Sequence, residues 1–451
     1  MRRIWAVATN TIRQALRMRV ACVFVILLFV LLPALGITTT GDETLKGRLQ
    51  TFVSYGLSLT SFLLCLLTLI VSVYSVTSDI DQRQIYTVVT KPIRRFQFLL
   101  GKLLGVVVLD VLLLVLFSVI IYAITVYTPR YRDFPESELT EAHNEFLTAR
   151  AALAVPEVDV TQEVRARYEE LRKQDSLPAG YTPEQAIAEL TKQAQLAKRA
   201  AGVGNVLVWE FDNVRPLAKS MFIRFKYDVF PNPPDSQVYG RWIAGDYQFI
   251  KTGQQPKTPI YDQIHKHAAR TFHEVEFPSE VVPEHGRLGI AFMNVPLNSS
   301  TVIFPPDGLE VLYKADSFGA NFLRAVLLIL FRLIFLACLG VLASSFLSFP
   351  VAILFCLVLF LTASFSGFVI ESFDYLSANV GAVYSYTFKW AIRLLPQFDE
   401  YNPTDFMVPA RLLEWSILAK CAFVMVCMKA FVLLLLGLFI FRYREIARIT
   451  V

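Results

Sequence analysis

Cysteine is scarce in this 451-residue chain and confined to one setting. Each of the six (Cys22, Cys65, Cys338, Cys356, Cys421, Cys427) lies in an apolar run, where a thiol most often acts as a small packing residue. The long polar middle has none, so it must fold without disulfides, and cysteine usage leaves the compartment open. Charge is also thin, at 18%, where soluble chains carry about a quarter. No long basic block interleaved with aromatics is present, which removes the usual footprint of nucleic-acid binding. No Gly-x-x-x-x-Gly-Lys-Ser/Thr stretch occurs, so the chain has no phosphate-cradling loop of its own. Nucleophile-elbow and zinc-protease patterns are missing too. The chain reads as a non-enzyme, and any ATP that drove it would have to be bound by another polypeptide.

What the chain has in quantity is apolar sequence: 55% hydrophobic residues and a mean hydropathy of +0.48. That is a membrane protein with one large polar part. Residues 1–19 predict an amphipathic helix, with Ile4, Trp5, Ala8, Ile12, Ala15 and Leu16 at helical spacing opposite Arg2, Arg3, Arg13 and Arg17. Such a basic helix suits the membrane interface. Val20–Ile37 follows as a first span; a cleaved signal peptide is the competing reading, but the polar lead is long and further spans follow. Phe52–Thr77, Leu103–Tyr127, Asn321–Ala343, Pro350–Ile370 and Ser416–Phe441 supply five more, each able to cross about 30 Å of hydrocarbon. Six spans put both termini on one side. The arginines of 1–19, the 78–103 loop and the tail (Arg442, Arg444, Arg448) then fall inside, as the positive-inside rule asks.

Residues 128–318 would then lie outside as one insertion, large enough for its own core. The part over 128–204 reads as a helical stalk, with charged runs at Glu136–Leu153 and Thr161–Gln174. A third helix opens at Thr182-Pro183-Glu184-Gln185, which has capping-box spacing and Pro at the first helical position. Over 205–318 the period changes to two. Met221, Ile223, Phe225, Tyr227 and Val229 alternate with Arg224, Lys226 and Asp228, the mark of a half-buried strand. Similar runs at Val206–Phe211, Arg287–Val295, Thr301–Phe304 and Leu309–Lys314 predict an antiparallel sandwich. The last of these runs straight into the fourth span. The expected fold is thus a polytopic α-helical membrane protein with six transmembrane helices and an inserted extracytoplasmic α+β domain.

Ser78–Gly105 (SDIDQRQIYTVVTKPIRRFQFLLGKLLG) is the most informative stretch. Ile80, Ile85, Val88 and Val89 predict one short apolar stripe, and Pro92 suits the first turn of a new helix. Gly101 and Gly105 form a small-xxx-small pair that admits a second helix at close range. An acidic start, a Thr-Lys-Pro-Ile-Arg-Arg centre and a Leu-Gly-Lys exit resemble the loop after the second span in ABC transporter permeases of the type-2 exporter class. The multicopper-enzyme-maturation and gliding permeases are the subgroup it resembles most. The resemblance covers roughly 1–127 and 319–451, although Asp79 and Asp81 stand where many relatives have Glu. It implies an elbow helix at 1–19 and a coupling helix docking on a separate ATP-binding subunit, with Asp79, Asp81, Arg83, Lys91, Pro92, Arg94 and Arg95 as contact residues. It further implies a second permease half, identical or similar, and an outer re-entrant segment within 371–415, at Leu376–Leu395 and Phe406–Trp415. A bacterial cytoplasmic membrane follows on the same footing. No cofactor is expected on this chain; ATP and Mg would sit on the partner. An ordinary positive-inside loop is the bland alternative.

Charges inside spans are the remaining chemical signal, because each is costly in hydrocarbon. Asp110, Arg332 and Lys429 lie at similar depths by counting, and read either as a polar patch along a substrate path or dimer seam, or as interior pairing and snorkelling. All five histidines (His143, His265, His267, His273, His285) fall in the polar middle. His265-x-His267 could set two ligands on one strand face, yet no Cys or Met cluster completes a set, so no metal is expected. Trp209, Tyr239, Trp242 and Tyr247 read as a sugar- or lipid-binding face or, more simply, as core. Export by an ATP-driven permease, mechanical action on an envelope partner, and a scaffold without an ATPase all remain open.

Overall fold

The computed structural model describes residues 2–81, 94–131, 134–156, 159–174, 183–233, 236–253, 255–256, 258–374 and 396–443. Two compact units emerge: residues 1–149 with 317–451, and residues 150–316.

The first unit is helical. Its elements are α1 (Arg2–Leu16), α2 (Arg19–Thr38), α3 (Leu45–Asp81), α4 (Arg95–Tyr131) and α5 (Glu136–Glu145). Among the described residues five helices are long and apolar enough to cross a membrane: α2, α3, α4, Phe318–Ser344 and Trp415–Tyr443. The expected span over Pro350–Ile370 is instead two pieces, Phe349–Ser364 and Ser366–Asp374. At about 24 Å, sixteen helical residues fall short of a hydrocarbon core. The break is built in: Asp399 accepts from Gly367 N and from Ser366 Oγ at 2.9 Å, capping the second piece.

α3 and Phe318–Ser344 form the buried centre of this unit. α3 carries Thr60, Ser61, Thr68, Ser72, Ser75, Thr77 and Ser78 on buried positions. Several return a hydroxyl to their own helix (Ser72 Oγ to Leu69 O at 3.0 Å, Thr77 Oγ1 to Val73 O at 2.9 Å), which satisfies them where water is absent. The helix expected over Glu136–Leu153 stops at Glu145; Thr148–Ala154 is a strand. α5 is held to the start of α3, where Leu45 N donates to Glu138 (3.1 Å) and Lys46 pairs with Glu141 (3.6 Å) and Glu145.

The second unit holds helices α6 (Thr161–Lys173), α7 (Pro183–Lys198) and α8 (Tyr247–Thr252). Its strands are β1 (Thr148–Ala154), β2 (Ala200–Ala201), β3 (Val206–Phe211), β4 (Ser220–Phe225), β5 (Asp228–Phe230) and β6 (Gln237–Asp246), then β7 (Tyr261–Ala268), β8 (His273–Pro278), β9 (Leu288–Asn294), β10 (Thr301–Ile303) and β11 (Leu309–Ser317). Two four-stranded sheets, β1-β11-β4-β8 and β3-β9-β6-β7, accompany a small β2-β10-β5 sheet. One core joins the larger two, filled by Trp209, Trp242 and Phe292 from one side and Met221, Ile223, Phe225 and Phe277 from the other. Trp242 stands opposite Phe292 in register, and Ile223 between Val275 and Val311. The single strand expected over 221–229 is two, because the chain leaves β4 at Lys226, whose N–H bonds Gly308 O (2.8 Å), and re-enters another sheet as β5. The chain then passes from β11 to the next helix, α9 (Phe318–Ser344), with Ser317 as its N-cap. α10 (Phe349–Ser364), α11 (Ser366–Asp374), α12 (Thr404–Met407) and α13 (Trp415–Tyr443) complete the helical unit. The middle of α13, Phe423–Ala430, is π-helical.

Candidate coupling site

Where α3 ends and α4 begins, the structure places a buried ion pair. Asp79 Oδ2 lies 2.7 Å from Lys102 Nζ, with side chains 6% and 1% exposed. The lysine is not left with that bond alone. Lys102 Nζ donates to Gln14 Oε1 of α1 (3.1 Å) and sits 5.5 Å from the Phe98 ring; Gln14 Nε2 donates to Ser78 Oγ (3.4 Å). One polar network therefore ties α1, α3 and α4 together. Burying two charges is tolerable only with such additional partners.

The reason α1 comes so near is steric. A Cβ on Gly101 would stand 2.6 Å from Val7 Cβ and 2.9 Å from Ile4 O, and one on Gly105 would stand 2.7 Å from both Ala8 O and Thr11 Cβ. The face α1 buries is its row of small residues, Ala8, Thr11 and Ala15, while Trp5 and Leu16 stay exposed. Of the apolar stripe that the sequence suggests, only the small members are fully buried. Helix-to-helix contact through small residues is the usual arrangement in apolar surroundings, where backbone approach replaces hydrophobic driving force.

The other expected coupling residues divide. Asp81 and Arg94 are exposed. Arg94 N is capped by Gln97 Oε1 (3.2 Å), the reciprocal half of a capping box. Arg95 Nη1 reaches the carbonyls of Phe441 (3.3 Å) and Arg442 (2.9 Å), fastening the start of α4 to the end of α13. Arg83, Lys91 and Pro92 lie outside the described residues. So does Leu376–Leu395 of the expected re-entrant segment. Of the remainder, Thr404–Met407 is one short helical turn, and the surrounding chain is tied inward: Gln50 Nε2 to Val408 O (2.8 Å), Asn321 Nδ2 to Arg411 O (2.8 Å) and Asn321 Oδ1 from Leu413 N (2.8 Å).

Asp110 and Arg332 take separate hydrogen-bond partners. Asp110 Oδ1 accepts from Thr68 (2.9 Å), and Oδ2 is buried with no hydrogen-bond partner among the described residues. Arg332 donates to Ser61 Oγ (3.2 Å) and Phe398 O (2.8 Å), its guanidinium 4.9 Å from the Phe398 ring. Lys429 is half-buried in the π-helical stretch of α13. Asp110 and Arg332 lean on the same helix, α3, from two of its neighbours.

In the second unit His265 and His267 of β7 stack at 5.6 Å between ring centroids, and His273 of β8 lies tilted against His267 at 4.7 Å. Burial, then the neighbouring His273 and His265, push His267 down to about 4; burial lowers His265 as well. His265 Nε2 contacts Tyr261 Oη (2.9 Å), and His273 Nε2 contacts Ala268 O (2.8 Å). Among the described residues no three His, Cys, Asp or Glu side chains are arranged to hold a metal ion. Trp242 and Trp209 are core, so the aromatic ligand face does not form; Tyr239 and Tyr247 are half-buried.

Lys102 is the residue that sequence reasoning passed over as a site. Its signal was present: a lysine enclosed between Gly101 and Gly105 at a span's entrance, with an acid at the exit of the preceding span. Compared with known families, residues 5–154, about a third of the chain, match the model described as ABC-2 family transporter protein. The match covers α1 through β1, hence the whole ion-paired network, and does not separate subgroups. No curated protein and no solved structure matches the chain.

Proposed function

We propose that this chain is the membrane permease half of an ATP-driven ABC transporter of the type-2 exporter kind, resembling the multicopper-maturation and gliding branch. The family match over residues 5–154 carries the reading, supported by a built polar joint at both ends of the 82–93 connection. A separate ATP-binding subunit supplies ATP and Mg and docks on that connection through exposed charge, including Asp81 and Arg94. Residues 1–19 and both termini lie on the cytoplasmic side of a bacterial inner membrane. The 150–316 unit stands outside, and a second permease half completes the transporter. Because α2 and α13 leave most of their apolar surface uncovered, lipid and that second half have faces to occupy.

A mechanical role, in which ATP energy moves the external unit against an envelope partner and nothing crosses, is favoured by one observation. Strand β11 ends at Ser317 and α9 begins at Phe318, so the two elements follow one another directly in the chain. The test of the main reading is purification of the tagged chain from native membranes in mild detergent, followed by mass spectrometry. An ATP-binding subunit is expected with the wild type and is lost with Asp81→Lys/Arg94→Glu, whose positions are exposed. No ATP-binding subunit even at low salt would overturn the energy source.

A further inference from the structure

We propose that Arg13, Arg17 and Arg19 form a headgroup site for one acidic phospholipid at the corner where α1, α2 and the end of α3 meet. A cavity of about 580 Å³ opens there, lined by the three arginines together with Gln14, Tyr74 and Ser78. None of the three arginines has a carboxylate partner among the described residues. Three like charges lining one cavity without an acid repel one another, and a phosphate relieves that repulsion through bidentate contacts that guanidinium groups make well. The first turn of α2 adds backbone donors, since Met18 at its N-cap offers no side-chain hydrogen bond.

A lipid rather than a free anion is the occupant, because an exposed apolar helix face begins at the cavity's edge. Val20 borders it, and Val23, Ile26, Leu27 and Val30 of α2 are exposed beyond. A headgroup at the arginines leaves its acyl chains along that face, as in basic pockets between membrane helices. The occupant has a structural consequence: Gln14 lines the cavity and also holds Lys102 and Ser78. The lipid thus sets the position of α1 against the Asp79–Lys102 pair. Only the assignment to the inner leaflet rests on the transporter reading; the binding site does not.

Native mass spectrometry of the full chain in non-denaturing detergent tests this, with phosphatidylglycerol and phosphatidylcholine as probes. One phosphatidylglycerol per chain should persist where phosphatidylcholine is stripped. Arg13→Gln/Arg17→Gln should weaken retention about 30-fold, taking roughly a factor of five per arginine near an acidic headgroup. Arg2→Gln/Arg3→Gln, which removes equal charge from the same helix outside the cavity, should change it less than about 3-fold. Arg13→Lys/Arg17→Lys keeps the charge and should weaken it by an intermediate factor, which covers the case of a glutamine variant that does not fold. Equal weakening by the two glutamine pairs, equal retention of both lipids, or displacement by millimolar inorganic phosphate would overturn the proposal. The readout uses the chain alone, so it succeeds or fails independently of whether an ATP-binding subunit co-purifies.

Discussion

Lys102→Met is the sharpest perturbation the structure offers. At 2.7 Å and an effective dielectric of about 20, the Asp79–Lys102 attraction is about 6 kcal/mol before desolvation is charged against it. Both side chains are almost wholly enclosed, so desolvation cancels much of that gain, and the pair adds little net stability over an apolar replacement. Removing one partner is different. Methionine fills the lysine's volume but leaves the Asp79 carboxylate buried without its cation, at about 3–5 kcal/mol. With roughly 2 °C per kcal/mol for a large chain, the melting midpoint in detergent, followed by fluorescence-detected size exclusion, should drop by about 6–10 °C. Asp79→Leu/Lys102→Met removes both charges and should melt within about 3 °C of wild type or above it. A single variant that melts like wild type, or a double variant no better than Lys102→Met alone, would refute the argument. The pair would then not be a closed joint.

Three further outcomes follow from the same geometry. Gly105→Val places a side chain where Ala8 O and Thr11 already stand within 2.7 Å of a bare Cβ. It should displace α1 and raise trypsin cleavage after Arg13 at least about tenfold, as expected when more than about 1.4 kcal/mol of local stability is lost; unchanged cleavage would contradict the packing. Thr68→Val removes the one hydroxyl that Asp110 Oδ1 accepts from, and should cost about 1–3 kcal/mol. Asp110→Asn keeps that bond and should cost less or stabilise, so the reverse ranking of melting midpoints would argue against this arrangement. In the second unit His267 titrates near 4 when folded and near 6.5 when unfolded. The unfolded chain therefore binds more protons between these values, and stability falls as pH drops from about 6.5 to about 4. Because the ring is half-buried, the loss is on the order of 1–2 kcal/mol. It should appear as a lower urea midpoint of tryptophan fluorescence at about pH 4.5 than at about pH 7, and should shrink in His267→Phe.

The helical unit was legible in the sequence wherever an apolar run was long, because an uninterrupted stretch of about 20 apolar residues serves little purpose except crossing a bilayer. Legibility failed at Pro350–Ile370, where composition hides a break made by Asp399, a residue far along the chain. In the second unit the strands rich in β-branched and aromatic residues, such as β3 and β11, were readable. β6 was not, because Gly240 and Gly245 interrupt its pattern, although both lie in a strand paired on either side. β7, with Asp262 and Lys266 on one face and His265 and His267 on the other, carries too little apolar signal to show. β1 read as helix because its Ala and Leu favour one; a place in the sheet beside β11 outweighs that propensity.

The candidate site shows the same division between what is local and what is not. Gly101 and Gly105 announce a close approach, but not that its partner is α1, which the sequence suggests should lie by its bulky stripe in the interface. Asp79 was visible as a charge near a loop, yet its burial depends on Lys102 across the helix pair. That difference bears on mechanism. A force on residues 82–93 reaches α3 at Asp81 and α4 at Arg94, and parting the two helices would expose a buried charge pair. Sliding them as one body breaks nothing in the network. α1 must follow, since its backbone rests on Gly101 and Gly105 and Gln14 bonds both Lys102 and Ser78. The end of α13 is fastened to the same body through Arg95. On the proposed reading, the physical expectation for coupling is therefore a rigid three-helix shift that carries α13 with it, with Asp79 and Lys102 as its internal brace and exposed charge such as Asp81 and Arg94 left free for docking.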